Sequence, residues 1–156
     1  MEDKFSLNAH NKDEFPPAHT AEHLLNQTMI RMFGCERSTN AHVERKKSKI
    51  SYILNHKPSR HEEKEIEKRM NELIEEDLPV TYEFVSRNNV RAGISLERLP
   101  DDASETLRLV RIGDYDVCPC IGKHVRSTSQ IGRFELLGTN WDEEKHSFRI
   151  RFKVVQ

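Results

Sequence analysis

The stretch Pro16-Pro17-Ala18-His19-Thr20-Ala21-Glu22-His23-Leu24-Leu25 constrains this chain more than any other. Two prolines stiffen the entry, and proline suits the first helical turn because the N–H it lacks had no partner there. A helix follows from about Ala18 to Phe33. Leu24, Leu25, Met29, Ile30, Met32 and Phe33 are its apolar positions and Gly34 its stop. His19 and His23 then lie one turn apart and point the same way, so they can hold one metal ion between them. Near the other end of the chain, Asp116-Val117-Cys118-Pro119-Cys120-Ile121-Gly122-Lys123-His124-Val125 offers a thiolate, Cys120, and an imidazole, His124, at the same spacing. The fold has to bring these two stretches together.

The intervening sequence supplies the means. Ala41 to Leu54 reads as a hairpin or two strands, because Ile50, Tyr52 and Leu54 alternate with polar residues. Ser59 and Glu62 form a capping-box signature ahead of a helix from about Arg60 to Glu76. Ile66, Met70, Leu73 and Ile74 make its apolar stripe, with Glu and Lys on the other face. Val80 to Ser86 is a strand with Val80, Tyr82 and Phe84 on one face. Asn88-Asn89 and Pro100-Asp101-Asp102 are turn chemistry, and Leu96 to Leu99 reads as a short helix or a loop. Further strands are expected at Leu107–Ile112, 130–137 and Ser147–Val155. The connection 140–146 is polar, with Trp141 folded from it onto the core. The order helix, strands, helix, strands predicts an α+β fold, an antiparallel β-sheet with two main helices packed on it. Residues 1–15 read as an N-terminal arm or a short strand, and 16–156 as a single domain.

Composition narrows the function. The 156 residues carry a net charge of −1, which argues against a general nucleic-acid-coating role but leaves room for a local basic face. No apolar run is long enough to span a membrane, and Met1-Glu2-Asp3-Lys4 leads into no apolar signal segment. Three cysteines, an odd number, suit a reducing compartment and a metal better than a disulfide framework, so the expected location is the cytoplasm.

Histidine nitrogen and cysteine thiolate are the donors that zinc takes in a tetrahedral shell, and the thiolate disfavours magnesium and calcium. His19, His23, Cys120 and His124 are accordingly the candidate ligands, with zinc (Zn2+) as the cofactor. Cys118 is either a further ligand or a buried thiol. His19-Thr20-Ala21-Glu22-His23 also has the H-x-x-E-H form of a zinc peptidase, in which Glu22 would be the general base. That reading leaves Cys120 and His124 unexplained. A purely structural zinc is the third possibility.

The paired motifs resemble a known family. His19-Thr20-Ala21-Glu22-His23-Leu24-Leu25 with Cys120-Ile121-Gly122-Lys123-His124-Val125 is similar to the editing domain of alanyl- and threonyl-tRNA synthetases, and most similar to the free-standing alanyl-tRNA editing proteins of AlaX type. That family pairs His-x3-His with a later Cys-x3-His in a Cys-Gly-Gly-Thr-His-Val loop. Ile66-Glu67 with Asn71-Glu72-Leu73-Ile74 resembles its connecting helix. Val110-Arg111-Ile112 resembles the strand that enters the cysteine loop, and Ser127 to Phe134 the segment that leaves it. The resemblance covers roughly Pro16 to the end. It implies a synthetase-editing-domain-like fold and a zinc-dependent aminoacyl-tRNA deacylase acting in trans on the acceptor end of a mischarged tRNA, typically serine or glycine on alanine tRNA. Neither DNA nor a membrane is implied as a partner.

The chain departs from the family loop at Ile121, where a glycine is usual, and at Lys123, where threonine is usual. Lys123 and Arg126, beside the site, are candidates for substrate phosphate, and His42 is a candidate pocket residue. Arg45, Lys46, Lys47 and Lys49 form the densest basic cluster. They read either as a contact for the tRNA backbone or as a solvated turn. Trp141 would be a base-stacking platform if it were not folded onto the core.

Overall fold

The computed structural model describes residues 14–86 and 106–156. The expected turn at Asn88-Asn89, the segment Leu96–Leu99 and the turn at Pro100-Asp101-Asp102 lie outside the described residues, as does nearly all of the expected arm. Helix α1 (Pro16–Phe33) leads into strands β1 (Asn40–His42) and β2 (Ser48–Ile53), and helix α2 (Arg60–Glu75) follows. Then come β3 (Val80–Ser86), β4 (Thr106–Ile112), β5 (Asp116–Pro119), a 3-10 turn (Thr128–Ile131), β6 (Arg133–Asp142) and β7 (Ser147–Val155). The architecture is α+β with antiparallel pairing throughout, and its strands divide into two sheets, ordered β1-β2-β7-β6 and β3-β4-β5. No described helix is long and apolar enough to cross a membrane.

Helix α1 begins and ends, and α2 begins, as their sequences direct. Proline occupies the start of α1, and Gly34 closes it in the left-handed conformation at φ 69°, its N–H donating to the Ile30 carbonyl. Ser59 and Glu62 form a reciprocal capping box on α2. Ile66, Met70, Leu73 and Ile74 are buried against α1, β6 and the 3-10 turn. Ile50, Tyr52 and Leu54 point into the same core, where they meet Phe134, Phe148, Ile150 and Phe152.

The polar side of α2 has a second use. Glu63, Glu67 and Asn71, each one turn from the next, dock on β6, an edge strand whose outer N–H and C=O groups would otherwise lack partners. Asn71 accepts from the Phe134 N–H at 2.9 Å and donates to the Phe134 carbonyl at 3.0 Å, as a neighbouring strand would. Glu67 accepts from the Leu136 N–H and Glu63 from the Thr139 hydroxyl, both at 2.9 Å.

Three expectations change in detail. The strand expected over 130–137 starts at Arg133, because Thr128–Ile131 forms the 3-10 turn, and it runs on to Asp142 through an irregularity between Leu136 and Gly138. Trp141 therefore sits in a strand rather than a loop. It packs partly against the core and its Nε1–H donates to Glu143. On β3 burial does not alternate: only Val80 is buried, while Tyr82 and Phe84 are 44% and 68% exposed.

Thr128, fully buried, ties the two sheets near the site. Its hydroxyl donates to the Leu73 carbonyl at 2.7 Å and accepts from the Leu78 N–H at 2.8 Å, while its own N–H donates to the Leu78 carbonyl. The Val80 N–H donates to the Arg126 carbonyl. The segment that follows His124 is thereby fastened to the end of α2 and the start of β3.

Candidate metal centre

α1 presents His19 and His23 from its first two turns, and the loop after β5 presents Cys120 and His124. One donor atom from each of the four lies within 4.8 Å of the others. The imidazoles are in mutual contact: His19 stacks on His124 with centroids 4.3 Å apart, and His23 lies edge-on to His124 at 4.5 Å. Cys120 Sγ is 3.5 Å from His19 Nε2.

Each ring is oriented from behind. His19 Nδ1 lies 3.1 Å from the Lys123 carbonyl, which can only accept, so Nδ1 carries the hydrogen and Nε2 is left toward Cys120. His124 Nδ1 is 2.9 Å from the Thr20 hydroxyl, which also accepts from the Val125 N–H. His23 Nδ1 faces Cys118 Sγ at 3.4 Å and Asp116 Oδ2 at 3.8 Å. A protein group thus engages Nδ1 of each ring. Among the described residues, His124 Nε2 is buried with no hydrogen-bond partner, which is what a ligand atom looks like when its partner is an ion. Nitrogen and sulfur donors at this spacing fit a tetrahedral N/S shell.

The loop that carries the cysteine is clamped. Arg108 on β4 donates to the Cys120 and Gly122 carbonyls, its guanidinium stacking over Tyr82, and its own carbonyl accepts from the Cys120 N–H. Glu14 accepts from the Lys123 N–H at 2.6 Å. Gly122 is required by close approach: a Cβ there would stand 2.2 Å from His19 Cε1.

Electrostatics set two of the rings apart. Burial works against an imidazolium at His19, but the hydrogen bond and charge of Cys120, with the Glu22 carboxylate and the Lys123 carbonyl, outweigh it and raise the pKa to about 9. Burial, aided by His19 and Arg108, holds His124 down at about 2, so that ring stays a neutral imidazole, the form that ligates. Burial pushes the Cys118 thiol up to about 12.

The remaining candidates fall into place around this cluster. Glu22 lies 3.8 Å from His19 Nε2, with its side chain 13% exposed. Lys123 touches the site through its backbone, and its side chain is exposed, as are those of Arg126 and Ile121. His42 is exposed on β1, paired with Glu44. It lines a shallow depression with Asn40, Lys49, Ser51 and Arg149, a set that includes none of the four donors. Arg45, Lys46 and Lys47 are exposed in the connection between β1 and β2, and Arg45 stacks on Phe15. Lys49 belongs to β2, opposite Arg151 of β7.

Sequence reasoning did not reach Thr20, Arg37, Arg108 or Asp116. Asp116 was within reach, since it lies two residues before Cys118 on one strand and so shares its face. Arg37 and Arg108 were not, because only tertiary contact brings them to the site.

Residues 107–151 match the family described as the threonyl and alanyl tRNA synthetase second additional domain. The chain is 34% identical over 139 residues to the alanine–tRNA ligase of Methanococcus vannielii, covering 87% of this chain and 16% of the ligase. It is 30% identical over 134 residues to the alanyl-tRNA editing protein AlaX-L of Pyrococcus horikoshii, covering 86% of this chain and 32% of that protein. It is 29% identical over 133 residues to the alanine–tRNA ligase of Treponema denticola, covering 81% and 21%. The chain thus spans less than a third of the length of each of these relatives.

Proposed function

We propose that this chain is an AlaX-type relative of the editing domain of alanyl- and threonyl-tRNA synthetases and a zinc-dependent hydrolase that deacylates mischarged aminoacyl-tRNA in trans, with serine or glycine on alanine tRNA as the substrate. One observation carries this reading: His19, His23, Cys120 and His124 converge from a helix and a distant loop onto a single point. Residues 16–156 form the working unit.

His19, His23, Cys120 and His124 would hold the zinc. Bound there, zinc supplies Lewis acidity toward the carbonyl of the aminoacyl ester. The reaction adds water across that ester, so the acyl carbon gains a hydroxyl and the ribose oxygen leaves with a proton. Glu22 is the carboxylate beside His19 that would take the proton from water and return it to the ribose oxygen. Lys123 and Arg126 are exposed cations flanking the cluster and would meet the phosphates of the tRNA acceptor end. Arg45, Lys46, Lys47 and Lys49 would contact the RNA backbone farther along. Lys49 has company there, because β7 alternates buried Phe148, Ile150 and Phe152 with Arg149, Arg151 and Lys153. Three free thiols suit the reducing cytoplasm as the place of work.

The test is to measure zinc per chain and the release of serine, glycine and alanine from alanine tRNA charged with each. Bound zinc with release of serine or glycine supports the reading, and Cys120→Ala then abolishes both. Bound zinc with no ester cleavage overturns it and leaves a structural zinc. Peptide cleavage that survives Cys120→Ala and dies in Glu22→Ala would instead establish the peptidase reading.

A further inference from the structure

Behind the donor cluster lies a second group, His23, Asp116 and Cys118, which shares His23 with the first. It is built by two matching periodicities. Asp116 and Cys118 are two apart on β5 and face α1, while His23 and Gln27 are four apart on α1 and face β5. The Asp116 side chain is 0% exposed. Its Oδ1 accepts from an Arg37 guanidinium N–H at 2.8 Å and from Gln27 Nε2 at 2.9 Å, and its Oδ2 accepts from Arg37 at 3.1 Å. Arg37 arrives from the loop after α1 and makes a bidentate clamp.

This group does not suit a second metal. The carboxylate is already committed to Arg37, and a cation placed there would sit against a guanidinium. Its geometry suits a different task. His23 Nδ1 meets the Cys118 sulfur directly at 3.4 Å, and a neutral thiol can either give its hydrogen to that nitrogen or receive one from it. In the first arrangement His23 is protonated on Nε2 and cannot ligate. In the second the hydrogen is on Nδ1 and Nε2 offers a lone pair. Asp116 breaks the tie, because its Oδ2, 3.8 Å from Nδ1, can only accept and so favours an N–H directed toward it.

We propose that Asp116, clamped by Arg37 and Gln27, is a positioning residue that fixes His23 in its Nδ1-protonated tautomer, with Cys118 as the immediate partner of that hydrogen, so that Nε2 is presented to the metal. The inference rests on the reading that the first cluster holds the metal. Residues behind a histidine ligand of this kind set tautomer and ring orientation, and losing one costs roughly 10- to 100-fold in metal affinity.

The experiment uses the full chain. Long-range proton–nitrogen correlation spectra of the metal-free protein, with His23 assigned by difference from His23→Gln, report its tautomer, and competition with a chromophoric chelator reports zinc affinity. Wild type is expected to show His23 protonated on Nδ1. Asp116→Asn keeps the shape but removes the charge and lets an amide donate toward Nδ1. It is expected to shift His23 toward Nε2 protonation and to weaken zinc by about 10- to 100-fold. Cys118→Ala, which keeps Asp116, is expected to retain the Nδ1 tautomer. The proposal is overturned by Nε2-protonated His23 in wild type, by loss of the Nδ1 tautomer in Cys118→Ala, or by a folded Asp116→Asn with unchanged tautomer and zinc affinity. Two zinc ions per chain, one lost in Asp116→Asn, would make Asp116 a ligand and equally overturn it. If Asp116→Asn does not fold, the wild-type and Cys118→Ala spectra decide. If wild type binds no zinc, the metal reading fails while the tautomer measurement still judges this one.

Discussion

Gly122→Ala is the sharpest perturbation of this centre. The added Cβ would lie 2.2 Å from His19 Cε1 and 2.7 Å from His19 Nδ1, against the 3.4 Å at which ordinary van der Waals contact begins. Relief therefore requires a shift of about 1.2 Å by the ring or by the loop. Neither can move freely. The ring is held by the Lys123 carbonyl, and the loop by Arg108 through the Cys120 and Gly122 carbonyls. A metal–nitrogen bond tolerates only about 0.2 Å, so the displaced imidazole no longer ligates. Zinc affinity is expected to fall at least 100-fold, about 2.8 kcal/mol at 1.4 kcal/mol per tenfold. The metal-free chain should lose about 1–3 kcal/mol from overpacking. Gly34→Ala is the control. It meets no atom within 4 Å and carries only the backbone cost of φ +69°, so zinc binding should not change. Chelator competition and thermal melts of both variants read these effects. Zinc affinity within threefold of wild type in Gly122→Ala would refute the close approach of this loop to His19.

Four further outcomes follow from the same geometry. Cys120→Ala removes the only sulfur in the four-donor cluster and should abolish stoichiometric zinc binding while circular dichroism still shows a folded chain. Chelation of zinc should destabilise the protein by roughly 4 kcal/mol relative to free zinc at a thousand times Kd, a fall of about 8–16 °C in Tm for a chain of this size, measured by calorimetry. Asn71→Ala strips both hydrogen bonds from Phe134 at the β6 edge and should cost about 2 kcal/mol by urea unfolding, with zinc binding intact. Ser59→Ala breaks the capping box of α2 and should cost about 1 kcal/mol in the same measurement.

Local signals in the sequence determined both ends of α1 and the start of α2. Pro16, Gly34, Ser59 and Glu62 act within a turn of where they stand, so their effect is legible without a fold. The strand alternations at Ile50-Tyr52-Leu54 and along β7 were legible for the same reason, and so were the four donors, since His-x3-His and Cys-x3-His are spacings along the chain. The polar face of α2 was not. Glu63, Glu67 and Asn71 look like a solvated helix surface until the sheet order makes β6 an edge that needs partners. Nor could sequence spacing bring Arg108 under the cysteine loop or Arg37 onto Asp116, because those contacts join segments with no fixed distance along the chain. Sequence by itself named which atoms can ligate. The tertiary structure alone decided which groups stand behind the rings, because Lys123, Thr20, Cys118 and Asp116 reach them only across packed elements.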